Sequence, residues 1–183
     1  GFSSNVQVPV IPNAQPSDSG TYSVLITDAN GCTNTASVNV VVNPIPDVSG
    51  SNNSPLCEDE TLQLSESAGD AISWNWSGPN GFNSSEQNPL IFNAKPSDSG
   101  TYSVLITDVN GCVNSTTTVV IIHATPNALS LNNSPVCEDE TLNLEETGGD
   151  AVSWLWSGPT GFNSTQQNPD ISNIQLSEAG LYS

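Results

Sequence analysis

Nineteen carboxylates, four cysteines and one histidine are the groups in this 183-residue chain that could do chemistry, set against a single lysine, Lys95, and no arginine. Clustered carboxylates can ligate a hard cation or move protons, and evenly spaced cysteines can form disulfides. Glu58, Asp59 and Glu60 are consecutive and pair in the expected topology with Asp98, while Asp70, Asp108 and Asn110 lie in turn-like sequences. Calcium is the ion such oxygens would take, with about six to eight donors at once. The spacing lacks the regular ligand order of an EF-hand, however, and Asp in turns commonly bonds its own backbone. Turn-forming and solvated carboxylates without a cofactor are therefore the expectation, with calcium as the alternative. His123 has Asn43 eighty residues before it, so its chemistry does not recur. No Ser-His-Asp or Cys-His set recurs either, and no enzyme is expected.

The eighty-residue spacing is general. PSDSGTYSVLITDANGC at Pro16–Cys32 returns as PSDSGTYSVLITDVNGC at Pro96–Cys112 with 16 of 17 positions identical. NNSPLCEDETLQL from Asn52 returns from Asn132, and WNWSGPNGFNS from Trp74 returns from Trp154 as WLWSGPTGFNS. A fixed period without insertions marks tandem copies of one small domain. With Asn43-Pro44-Ile45-Pro46 and His123-Ala124-Thr125-Pro126 as linkers, we expect the C-terminal part of a first repeat at 1–43, a complete repeat at 44–123 and the N-terminal part of a third at 124–183. The phase of the repeat suggests a window cut from a longer protein. A unit of this size is near the lower limit for a self-standing core, so support from disulfides, metals or neighbours is expected.

The net charge is −18 at pH 7, although only 11% of residues are charged, so the surface is mainly Ser, Thr and Asn. One cation cannot neutralise a phosphate backbone or an anionic bilayer, which excludes nucleic acid and anionic lipid as partners. No run of 18 apolar residues is present, so membrane insertion of this segment is not expected. Cysteines at two per period point to an oxidising, extracellular compartment. A Lys–Asn isopeptide cannot be a repeated feature with one lysine. Asn-x-Ser/Thr triplets at Asn52, Asn83, Asn114, Asn132 and Asn163 arise readily in such a composition and carry little weight.

Apolar residues fall on every second position at Leu62 and Leu64, at Ile72, Trp74 and Trp76, and at Tyr102, Val104 and Ile106. That is the period of half-buried strands. Turn sequences at Ser67–Asp70, Gly78–Gly81, Pro96–Gly100 and Asp108–Gly111 separate them at the spacing of an antiparallel sandwich. Asn110-Gly111 predicts a tight hairpin between the last two strands, Thr101–Thr107 and Val113–Ile122. Trp74 and Trp76 share one face and are read as core rather than as a sugar platform.

The order Glu-Asp-Glu-Thr-Leu-x-Leu, then Ser-Trp-x-Trp, then Asp98-Ser99-Gly100-Thr101-Tyr102 resembles the immunoglobulin-like sandwich. That resemblance implies an all-β fold of tandem antiparallel sandwiches on an 80-residue repeat, with a tyrosine corner at the Asp-x-Gly-x-Tyr motif. More narrowly, WSGPNGF…NP…DSGTYSV…TDxNGC is similar to the Ig-like and PKD-like repeats of large secreted surface proteins of Bacteroidetes-type bacteria. It implies secretion, cell-surface display and adhesive or fibre-forming roles, with no catalytic residues to carry over. One departure is visible. Classical immunoglobulin domains place a cysteine two residues after the tyrosine; here Val104 stands there and the cysteine comes only at Cys112, so the usual cross-core disulfide is absent.

In this topology Cys57 lies between the first two strands at the bottom of the domain and Cys112 at the top, too far apart to bond each other. Cys32 and Cys137 are their counterparts in the neighbouring copies. Staples between the bottom of one repeat and the top of the next, pairing within a domain under a different strand order, and interchain bonds or free thiols all remain open. Two functions follow. The first is a structural stalk, filament or adhesin segment that associates head-to-tail or laterally with copies of itself. The second is an array of modules binding a glycan or a protein of another cell. Asn75/Leu155, Asn80/Thr160, Glu86/Gln166 and Lys95/Gln175 differ between copies at positions read as exposed, which favours the stalk, because a repeated ligand site would hold them constant.

Overall fold

The computed structural model describes all 183 residues. They divide into two compact units, Gly1–His123 and Ala124–Ser183. The chain is all-β, and its only helical elements are three-residue 3-10 turns at Pro16–Asp18, Pro79–Gly81, Pro96–Asp98, Pro159–Gly161 and Leu176–Glu178.

In the first unit, strands β1 (Gly20–Thr27) and β2 (Thr33–Val40) form an isolated antiparallel hairpin. The complete repeat follows with β3 (Gly50–Asn52), β4 (Leu56–Cys57), β5 (Leu62–Glu66), β6 (Ala71–Ser77), β7 (Asn83–Ser84), β8 (Leu90–Ile91), β9 (Gly100–Asp108), β10 (Val113–Val120) and β11 (Ile122–His123). One sheet has the order β3-β5-β8 and the other β10-β9-β6-β7. The first edge crosses between them: β3 pairs antiparallel with β5, then β4 pairs parallel with β11.

Alternation explains why these sheets pack. Along β9, Tyr102, Val104, Ile106 and Asp108 are buried while the residues between them are more open. Leu62 and Leu64 of β5, Trp76 of β6 and Val120 of β10 meet them to form one core. Each such side chain contributes about 1.5–3 kcal/mol on leaving water. Close approach fixes Gly78, where an added Cβ would run into the Tyr102 ring.

One local expectation requires correction. Ile72 is 63% exposed rather than inward-facing. The β6–β9 register shifts between Ala71 and Ser73, and the extra residue turns Ile72 outward while Ala71 packs on the core. The tight hairpin expected at Asn110-Gly111 joins β9 to β10, and more than that pair closes it. Asp108 N donates to the Cys112 carbonyl at 2.9 Å and Gly111 N to the Asp108 carbonyl at 3.1 Å. Only Gly111, at φ +81°, is left-handed. This is a three-residue loop with a glycine bulge, which tolerates Asn110 at negative φ.

In the second unit, β12 (Ser130–Asn132), β13 (Leu142–Glu146) and β16 (Asp170–Ile171) form one sheet, and β14 (Trp156–Ser157) pairs with β15 (Asn163–Ser164). Leu142, Leu144, Trp156 and Ile174 build a smaller core. Residues 151–155 match the first part of β6 in sequence but join no ladder.

Candidate functional site

The carboxylates of Glu58–Glu60 and Asp98 lie before the start of β9, and those of Asp70 and Asp108 lie near its far end. At the lower end, the turn Glu58–Glu60 is fastened to the segment before β9: Asp59 N donates to the Ala94 carbonyl and Ala94 N to the Glu60 carbonyl, each at 2.9 Å. This brings Lys95 Nζ to 2.7 Å from Asp59 Oδ1 and 3.3 Å from Glu58 Oε1. Hydrogen bonds to Asp59, then to Glu58, hold the ammonium group above its ordinary pKa. Glu60 Oε2 accepts from Cys57 N at 2.8 Å. Asp98 Oδ2 accepts from Lys95 N at 2.9 Å and its Oδ1 from Asn80 Nδ2 at 2.8 Å. In the second unit Gln175 Nε2 takes the place of the ammonium, 2.9 Å from Asp139 Oδ1.

Above Asp98 stands the tyrosine corner. The Tyr102 hydroxyl donates to the Asp98 carbonyl at 3.0 Å, and its ring meets Phe82 edge-on with centroids 5.5 Å apart. Burial, with the Asp98 charge, pushes its pKa up to about 12. Tyr22 and Tyr182 make the same bond to Asp18 and Glu178.

At the upper end, Asp108 Oδ1 accepts from Asn110 N at 2.9 Å and Cys112 N at 2.8 Å, so its carboxylate folds back into its own turn. Asp28 does the same in the isolated hairpin, and the N–H of Cys32 chiefly holds its carboxyl below the ordinary range. Asp70 sits in the exposed turn before β6. Asp59, Asp98 and Asp108 thus each have oxygen atoms engaged by the protein itself, and nowhere do three or more His, Cys, Asp or Glu side chains converge in a metal-holding group.

The upper end also holds a group that sequence reading passed over. Glu66 is 2% exposed. Its Oε2 accepts from Trp74 Nε1 at 3.0 Å, and its Oε1 from Ala68 N at 2.8 Å and Ser49 N at 3.4 Å. Burial pushes the carboxyl up, but these donors outweigh it and leave the pKa below the ordinary carboxylate value. Glu146 repeats the arrangement with Trp154 and Gly148. The signal was present in the alternation: Leu62, Leu64 and Glu66 point the same way, and a Trp follows the Glu by eight residues in both copies. Trp74 is accordingly held by its indole N–H to a buried carboxylate and packs on the core.

All four cysteines are free thiols. Cys57 does not sit in a turn but on β4, beside His123, whereas Cys112 lies beyond the far end of β9. The eight steps between the first and last of the nine residues of β9 span roughly 26 Å at about 3.3 Å each, against the 7 Å or so that a disulfide allows between Cα atoms.

Two antiparallel sheets sharing a crossing first strand, closed by a tyrosine corner, define an immunoglobulin-like β-sandwich. No family model and no curated protein matches the chain. Among solved structures it is similar to murine CEACAM1b, at 15% identity over 74% of this chain and 89% of that one, with a TM-score of 0.40. It is similar to an amphioxus IgVJ-C2 molecule at 20% identity over 60% and 63%, TM-score 0.38. Three N-terminal domains of the bacteriophage RB49 Highly Immunogenic Outer Capsid protein match at 13% identity over 87% and 62%, TM-score 0.40. No helix is long and apolar enough to cross a membrane.

Proposed function

We propose that the chain is a non-enzymatic, load-bearing segment of a secreted bacterial cell-surface adhesin or filament, built from repeats stacked as stiff beads. The observation that carries this reading is where the copies agree. Residues held constant between copies build the sandwich: the Glu66–Trp74 bond, the corner at Tyr102 and the turn at Asp108. Residues that change include the exposed Asn75, Asn80, Glu86 and Lys95, while core changes such as Ala94 to Ile174 keep an apolar side chain. Selection for a repeated fold with a drifting surface suits a spacer rather than a repeated ligand site. Cysteines at opposite ends of each domain support staples between the bottom of one repeat and the top of the next, which would suppress bending. The acidic ends do not require an ion in this reading.

The test is a non-reducing peptide map with small-angle scattering on a secreted array of complete repeats. Disulfides joining Cys57-type to Cys112-type cysteines of successive repeats, with a rod whose length grows linearly with repeat number, are expected. Flexible, unstapled beads that bind a glycan or protein saturably would overturn it in favour of a binding array.

A further inference from the structure

The complete repeat has one long sheet edge without the usual deterrents to pairing. In the sheet β3-β5-β8 the outer strands have three and two residues, and in the other sheet β7 has two. The stretch of β6 that runs past β7 carries the register shift between Ala71 and Ser73, and such a bulge spoils an edge. β10 is different. It runs for eight residues, Val113–Val120, with β9 on one side only, in an unbroken register and with no charge or proline. Six of the eight are Val or Thr, side chains that suit a strand. An uncharged edge of that length is a template for a strand of another molecule.

Two asparagine side chains occupy that edge. Asp108 N donates to the Cys112 carbonyl at 2.9 Å, and in an antiparallel ladder the bonded residues then alternate. Asn114, Thr116, Thr118 and Val120 bond β9, and the N–H and C=O groups of Ser115, Thr117 and Val119 face away from it. Asn114 Oδ1 accepts from Ser115 N at 2.8 Å, while its Nδ2 donates to the Pro46 carbonyl at 2.8 Å. Asn52, the last residue of β3, donates from Nδ2 to the Val119 carbonyl at 2.9 Å and to Thr118 Oγ1 at 2.6 Å, and its Oδ1 accepts from Ser54 N at 2.8 Å. Beyond them Leu56 N takes the Ile121 carbonyl at 3.1 Å. A strand approaching β10 therefore meets a spent donor at Ser115 and a spent acceptor at Val119; of the three outward residues only Thr117 offers both groups. The same side-chain bond recurs in β2, where Asn34 Oδ1 accepts from Thr35 N at 2.8 Å. Asn52 and Asn114 each head an Asn-x-Ser/Thr triplet, and both amides are engaged by the protein itself.

We propose that Asn52 and Asn114 close the edge of β10 against a strand from a second copy of this chain, so that near-identical repeats do not merge their sheets side by side. Near-identical copies are one another's best match for sheet pairing, which is why a repeat needs its longest edge shut. The experiment compares the 183-residue chain with the double variant Asn52→Ala/Asn114→Ala by sedimentation velocity under reducing conditions, over a range of concentration and salt. Neither residue belongs to the core, so near-UV circular dichroism should keep the parent's aromatic signal. The variant is expected to form species heavier than the parent's in steps of 19.1 kDa, more so as salt screens the repulsion between acidic chains. Its Thr117 amide should exchange at least about tenfold more slowly at high than at low concentration. Adding Thr117→Pro, which removes an outward N–H and no bond to β9, should return the mass to that of the parent. If the double variant unfolds, Asn114→Ala alone must still associate more than the parent. In the parent itself, the Ser115 amide should exchange at least about tenfold more slowly than that of Thr117. A folded variant with the parent's mass at every concentration, association that survives Thr117→Pro, or equal exchange at Ser115 and Thr117 in the parent would each overturn the proposal. None of these results bears on stapling or stiffness in an array, so this inference and the spacer reading fail separately.

Discussion

Replacing Glu66 tests whether a buried carboxylate organises the upper end of the sandwich. It accepts two well-formed hydrogen bonds, from Ala68 N at 2.8 Å and Trp74 Nε1 at 3.0 Å, and a longer one from Ser49 N at 3.4 Å. Bonds to a charged acceptor contribute about 1.5–3 kcal/mol each, and a buried donor left unmatched costs about 1–3 kcal/mol. Glu66→Leu strands the indole and the Ala68 N–H together, so about 3–4 kcal/mol is expected, a large share of a small domain's stability. Glu66→Gln keeps one carbonyl acceptor but turns an NH2 toward a donor, so about 2 kcal/mol is expected. The acid response separates charge from packing. The folded pKa lies below the ordinary 4.5, so the stability that Glu66 contributes is fully present above that value and is lost as pH falls through the folded pKa. Urea unfolding read by hydrogen exchange of peptides 62–66 and 100–108, at neutral pH and at stepped values below 4.5, is the assay. The parent should lose stability across the acid range by more than the Gln variant does. An unchanged neutral midpoint in Glu66→Leu, or identical acid profiles for parent and Gln variant, would refute the reasoning.

Asn80 sits at φ +54°, where a β-branched residue is strained, so Asn80→Thr should cost the complete repeat about 1–2 kcal/mol by urea unfolding. Thr160 already bears that strain at φ +54°, and Thr160→Asn should slow amide exchange at 159–163. The Tyr102 phenol, with its pKa raised to about 12, favours folding below pH 10 and ceases to as pH rises from 10 through 12; ultraviolet titration should show this phenolate appearing well after an exposed tyrosine ionises. Lys95→Gln, which copies the arrangement at Gln175, should leave the urea midpoint unchanged within error because the ion pair is half in solvent. Removing divalent cations with a chelator should leave the thermal midpoint of the complete repeat unchanged, since Asp98 and Asp108 spend oxygens on the protein's own N–H groups.

Local chemistry is what the sequence determined alone. The period of two along Tyr102, Val104 and Ile106, the Asp-x-Gly-x-Tyr corner and the Asp108–Cys112 turn are set by residues within a few positions of one another. Such features are legible because their partners are adjacent in the chain. Ile72 shows the limit. Its outward turn comes from a bulge whose register depends on β9, more than thirty residues away. The Lys95–Asp59 contact and the burial of Glu66 likewise depend on which strands lie side by side. The plainest case lies within one sheet. Leu62 and Leu90 stand on paired neighbouring strands, yet one is fully buried and the other 45% exposed, because hydrophobic burial is decided by which face of a strand meets the opposite sheet.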